Sequence, residues 1–192
     1  FHALGDEYKH EQLPVVNAFR EYFGGGFSGI VTHEIREYRS LAYASAGFYI
    51  TPTYPAGQKS AMYAYLGCQG DKTNDAIQAM HNILEDLPAY PERMPSLRAN
   101  LENKTFSYYP DFREISSTIE DYELADLHED PNEMAYQAYG DLKFEDIQQF
   151  FEQNIKGRPI TITIYGDKKR MDLDKLRQLG KVIELKDKDV RT

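Results

Sequence analysis

The sequence predicts an α+β domain with helices packed on one face of a mostly antiparallel sheet. Apolar residues recur at helical spacing over several separate stretches, and at strand spacing over two neighbouring stretches joined by a turn-rich loop. The predicted order is helix, helix, strand, strand, several helices, strand, helix, strand. The sheet face that no helix covers must then meet solvent, a ligand or another domain.

The chain of 192 residues is long enough for one domain with a real core, and residues 1–192 are read as a single domain. Residues 12–23, QLPVVNAFREYF, put Val15, Val16, Phe19 and Phe23 on one helix face, and three glycines then break the pattern. A second helix is predicted from Ser28 to Arg39, with Phe27, Ile30, Val31, Ile35 and Tyr38 as its apolar stripe and Arg36 to the side of it. From Leu41 the period becomes two. Ala42, Ala44, Ala46, Phe48 and Ile50 point one way, and Tyr43, Ser45, Gly47 and Tyr49 the other. After TPTYPAGQK, the segment SAMYAYLGC is read as the second arm of a long-looped hairpin.

An amphipathic helix follows over 72–87, with Ala76, Ile77, Met80, Ile83, Leu84 and Leu87 on one face, and PAYPERMP ends it. Helical stretches are predicted over 95–107, 111–127 and 131–139, their charged residues forming solvated faces. Residues 144–156 space Ile147, Phe150, Phe151 and Ile155 for burial, with Gly157 as the stop. PITITIYG is read as a strand, DLDKLRQLG as a short helix and KVIEL as a final strand.

Composition excludes several classes of function. With 31 Asp and Glu against 22 Lys and Arg, the net charge is -9, which gives a nucleic acid backbone nothing to hold. Cys68 is the only cysteine, so the chain can form neither an internal disulfide nor a multi-cysteine metal site. The sequence contains no apolar run of membrane-spanning length, and FHALGDEYKHEQ is no signal peptide. A soluble protein of cytoplasm or periplasm is expected. The start at Phe1, without an initiator methionine, suggests a fragment of something longer.

The segment GGGFSGIVTHEIREYRSLAYA raises two chemical possibilities. A phosphate loop needs a strand before it and a lysine with Ser or Thr after it, whereas here a helix precedes Gly24 and no lysine follows. Gly24, Gly25 and Gly26 are read instead as a tight helix–helix turn. For zinc, H-E-x-x-H would need a second histidine at Pro14, Glu37 or Asn132. The inverted H-x-x-E-H would need glutamate at Gly5, Leu13, Arg36, Leu84 or Pro131. His33 and Glu37 share a helix face but lack a third ligand, and the His33–Glu34 pair is read as surface. No G-x-S-x-G nucleophile elbow is present.

The segment NAFREYFGGGFSGIVTHEIREYRSLAYASAGF resembles the insulinase/pitrilysin family of zinc metallopeptidases, in its asparagine, its aromatic-glycine-glycine turn, its helix ending in EIREYRSLAY and its following strand. The stretch from DLKFEDIQQFF to KVIEL is similar to the family's closing helix, strand, helix and strand. The resemblance implies a LuxS/mitochondrial-processing-peptidase-like metallopeptidase fold, with the first strands of a complete half missing. It also implies two homologous halves facing each other across a chamber. One half holds zinc through H-x-x-E-H, and the other binds substrate. Since this chain lacks that motif, it resembles the non-zinc half: inactive alone, with no cofactor of its own and zinc expected in the partner half. Its implied partners are a homologous zinc-binding half, in the same or another chain, and a peptide substrate. The family's non-catalytic arginine and tyrosine, seven residues apart, fall on Arg36 and Tyr43, and substrate-binding roles are implied for both. A non-proteolytic structural subunit of the same fold is the alternative.

Overall fold

The computed structural model describes residues 1–25, 28–52 and 58–186, and its sheet begins with a strand that hydropathy periodicity does not announce. This strand, β1 (His2–Glu7), buries only Ala3 and Gly5 and carries no β-branched residue, so its sequence gives little strand signal. The hairpin appears as expected, as β2 (Ala44–Ile50) and β3 (Lys59–Gly67), antiparallel with Phe48 opposite Tyr63 and Ile50 opposite Ala61. β3 lies in the centre, giving the order β1-β3-β2.

Helices cover one face of this sheet. α1 (Leu13–Gly24) buries Val16, Phe19 and Phe23, the face its spacing predicts, and Pro14 occupies its first turn, where no backbone donor is lost. Phe19 stacks on Phe23 at 5.2 Å and meets Tyr49 of β2 edge-on at 5.8 Å. Phe150 of α6 (Phe144–Asn154) closes the cluster, 5.3 Å from Phe19 and 5.1 Å from Tyr49. Each such ring pair adds about 0.5–1.5 kcal/mol beyond its burial. Around this core pack α2 (Thr73–Glu85), α3 (Met94–Phe106) and α5 (Pro131–Tyr139). α4 (Ile115–Leu124) lies outside it with no buried residue, and α7 (Leu173–Leu179) follows near the C-terminal end.

Three predicted elements differ. PITITIYG forms no strand, only an isolated antiparallel bridge between Thr161 and His2. His2 and Thr161 exchange backbone hydrogen bonds of 2.9 and 2.8 Å, and the pairing is not continued along β1. KVIEL has no described strand beside it, and Ile183 and Leu185 are exposed. The predicted helix over 28–39 is a π-helix from Thr32 to Tyr38. Ile30 and Val31, just ahead of it, and Ile35 within it stay inside as expected, but the wider turn leaves Tyr38 at 75% exposure. Phe27, also assigned to that stripe, lies outside the described residues, as does Gly26 of the glycine turn.

The glycines act through close approach. A Cβ on Gly24 would sit 1.9 Å from the carbonyl oxygen of Gly47, so the end of α1 rests on the backbone of β2. A Cβ on Gly47 would strike the Phe23 ring at 2.5 Å and Val31 Cγ2 at 3.0 Å. The contact fixes both α1 and the entry to the π-helix.

A buried carboxylate braces the π-helix itself. The Glu34 side chain is 8% exposed and accepts hydrogen bonds from Arg39 Nη1 at 2.5 Å and the Tyr90 hydroxyl at 2.6 Å, with His33 Nδ1 at 3.2 Å. The expected surface His–Glu pair is therefore half inside the protein. Tyr90 is held in turn by its backbone N–H, which donates to the Tyr22 hydroxyl of α1 at 2.9 Å. Burial pushes the Glu34 carboxyl up, but the bonds from Tyr90, Arg39 and His33 outweigh it and hold the group below its ordinary 4.5. The same bond pushes the Tyr90 hydroxyl up.

Two outcomes follow from this packing. Alanine gains up to about 1 kcal/mol over glycine in helix propensity, but forcing a methyl into a filled space costs about 1–3 kcal/mol or more. Gly24→Ala is thus expected to lower stability in urea unfolding, and an equally stable variant would sink the close-contact account. A carboxylate with a lowered folded pKa stabilises above its unfolded value and loses that contribution as pH falls through the folded one. Glu34→Gln should cost about 1–2 kcal/mol at neutral pH, and the gap to wild type should narrow as pH falls below the ordinary glutamate value. Parallel stability curves across that range would contradict it.

Candidate functional site

The two residues singled out by the sequence stand at the ends of one connection. Arg36 lies within the π-helix, its side chain 42% exposed and its Nε 3.4 Å from Glu37 Oε1. Tyr43 immediately precedes β2 and is 73% exposed, its backbone N–H donating to the Gly67 carbonyl at 2.9 Å. The π-helix is anchored below by Ile35 and Glu34 and ahead by the Gly47 contact, and the connection closes when Leu41 N–H reaches the Ile35 carbonyl at 2.9 Å. A rigid frame therefore carries two exposed polar heads.

The face assigned to Tyr43 is corrected. Strand alternation would place it opposite the alanines, but β2 begins only at Ala44, so Tyr43 is free of that alternation. Its ring lies against Gly67 of β3, where an added Cβ would meet Tyr43 Cζ at 3.1 Å. The hydroxyls of Tyr43 and Tyr65 both lie 3.2 Å from that point, which places the two tyrosine heads together at one end of the hairpin. Alternation in β3 puts Tyr65 on the side opposite buried Met62 and Ala64, so Tyr43 joins the face that the helices leave uncovered. Ala42, expected on the alanine face, is buried instead.

That open face is apolar and aromatic. Leu4, Phe48, Ile50, Tyr63 and Tyr65 are all exposed on it, and His2 stacks on Tyr63 at 4.7 Å. Ala44, Ala46, Phe48 and Ile50 form its β2 row, while Gly47 and Tyr49 turn toward the helices. A contiguous exposed apolar surface of this kind marks a contact site rather than ordinary surface. Chemically, the connection offers a guanidinium donor at Arg36 and a phenol donor at Tyr43, the latter beside an aromatic floor.

Metal chemistry does not fit these residues. Among the described residues no three His, Cys, Asp or Glu side chains converge, and His33 and Glu34 are engaged with each other and with Tyr90 and Arg39. Sequence reasoning missed Glu34 and Tyr90, which brace the frame, and Tyr65, which meets Tyr43. For Glu34, its place beside Ile35 at the edge of the apolar stripe was the available signal.

Comparison with known proteins gives concordant results. Residues 1–91 match a family model described as the peptidase M16 inactive domain. No curated protein matches the chain. Among solved structures, the chain is similar to a peptidase M16 inactive domain from Pseudomonas fluorescens, with a TM-score of 0.65 and 14% identity over 81% of this chain and 37% of that one. It is also similar to the inactive peptidase domain of a candidate zinc protease from Bordetella parapertussis, with a TM-score of 0.62 and 16% identity over 83% of this chain and 90% of that one. A periplasmic protease, PqqL of Escherichia coli, gives a TM-score of 0.57 and 14% identity over 80% of this chain and 17% of that one. The chain thus spans little more than a third of the Pseudomonas structure and most of the Bordetella domain. The match of its first 91 residues is to the peptidase M16 inactive domain, and the solved structures share the fold of this chain, in line with the insulinase/pitrilysin resemblance.

Proposed function

We propose that this chain is the substrate-binding half of a zinc-dependent peptidase, completing the active site of a homologous zinc-binding half. The observation that carries this reading is the pair of exposed heads at the ends of one braced connection, Arg36 on the π-helix and Tyr43 beside an uncovered aromatic sheet face. The guanidinium of Arg36 donates to a backbone carbonyl of the bound peptide. The Tyr43 hydroxyl donates to the oxyanion that develops on the scissile carbonyl, and the open face receives apolar side chains. The inactive-domain description of residues 1–91 supports the assignment of zinc to the other half.

A second reading, a structural subunit without proteolytic activity, draws on likeness to a chain of the Candida albicans complex III, with a TM-score of 0.58 and 10% identity. An H-x-x-E-H motif elsewhere in the full-length protein or in its partner subunit favours the peptidase, and its absence from both favours the structural role.

In the assembled, zinc-loaded protein, Arg36→Ala and Tyr43→Phe are each expected to lower kcat by about 10²-fold to 10³-fold, with zinc content unchanged. Undiminished peptide turnover in both variants would remove the assigned role.

A further inference from the structure

The helical layer carries a second surface, remote in sequence from Arg36 and Tyr43. The end of α3, all of α4 and the start of α5 enclose an open groove of about 430 Å³. Phe106, Tyr108, Ile115, Ile119, Tyr122 and Tyr136 line it. All of these except Tyr122 are exposed, and Phe112 and Leu124 nearby are exposed as well. α4 is the clearest sign of unmet packing. Ile115, Ile119 and Tyr122 recur on one side of a ten-residue helix that has no buried residue. A helix of this length is marginal in water without a packed face.

Charge decides what fits. Residues 107–134 contain nine carboxylates and a single arginine, Arg113, whose Nη1 lies 3.8 Å from Asp111 and whose guanidinium lies over Phe112. Asp130 and Glu133 line the groove, and no lysine or arginine does. The groove presents an apolar floor under an uncompensated acidic rim. A second copy of the chain, at net charge -9, would bring like charge to it. Nucleic acid and anionic lipid are repelled on the same ground.

We propose that the groove between α3, α4 and α5 docks a cationic amphipathic segment of a partner protein. Large apolar side chains of that segment enter between Phe106, Ile119 and Tyr136, and its lysines or arginines meet Asp130, Glu133 and the acidic stretch around them. This is the helix-in-groove mode of recognition, with opposite charge setting orientation and on-rate. It stands independently of the peptidase reading, since it uses neither Arg36 nor Tyr43.

The chain contains no tryptophan, so a tryptophan-bearing probe reports binding without background. The test titrates the chain into an amphipathic leucine/lysine peptide of about four helical turns carrying one tryptophan, and into its leucine/glutamate counterpart. The lysine probe is expected to bind and the glutamate probe not. Ile119→Ser and Glu133→Lys, both at exposed positions, are each expected to weaken binding about tenfold with circular dichroism unchanged. The proposal is overturned by no binding of the lysine probe, by equal binding of the two probes, or by variants that bind the lysine probe as tightly as wild type, which would place the cationic probe elsewhere on this acidic chain.

Discussion

The absence of side chains at Gly24 and Gly47 lets the end of α1 lie directly on the backbone of β2, and the rest of the fold is arranged around that contact. A Cβ on Gly24 would overlap the Gly47 carbonyl at 1.9 Å, and one on Gly47 would overlap Phe23 and Val31. Phe23 thereby enters the aromatic cluster of Phe19, Tyr49 and Phe150, and Val31 seats the start of the π-helix. Any added atom at either position would lift the helix from the sheet. Arg36 and Tyr43 lie only a few residues beyond these seats, so their placement inherits the contact.

The π-helix then needs a separate restraint. Helices of this kind are rare because the wider turn loses packing, and they occur mostly as short segments at functional sites. Here Glu34 supplies the restraint, tying the turn to Arg39 at its C-terminal cap and to Tyr90 of a distant segment, while Tyr90 is tied to Tyr22 of α1. Breaking such a partly buried charge pair from one side leaves the other groups without partners, and that penalty exceeds what the pair contributes when intact. The frame is thus stabilised through the cost of disrupting it.

The amphipathic helices and the hairpin were legible because each follows one period: Ala76, Ile77, Met80, Ile83 and Leu84 are all buried in α2, and β2 pairs with β3 over its full length. β1 was not legible, since its buried face is an alanine and a glycine. PITITIYG misled for the opposite reason. It has strong strand propensity, but propensity forms a strand only where a neighbour offers a ladder, and here the pairing with β1 is the single Thr161–His2 bridge. Arg36 and Tyr43 came from a motif. Their setting, with Tyr43 over Gly67 and Glu34 beneath the turn, depends on contacts between distant segments that no local period reveals.

Among the described residues, the closed core leaves two surfaces of note uncovered: the aromatic sheet face beside Tyr43 and the acidic groove on the helical layer. They differ in charge and lie on different elements, which suits one to substrate and the other to a protein partner. The central claim is that the braced connection presents Tyr43 toward bound peptide. The most direct measurement replaces Tyr43 with a photo-crosslinking phenylalanine in the assembled protein and maps its products by mass spectrometry with a peptide substrate present. Cross-links to the peptide are the predicted result, and a probe at that position that reacts with neither peptide nor partner half would contradict the account.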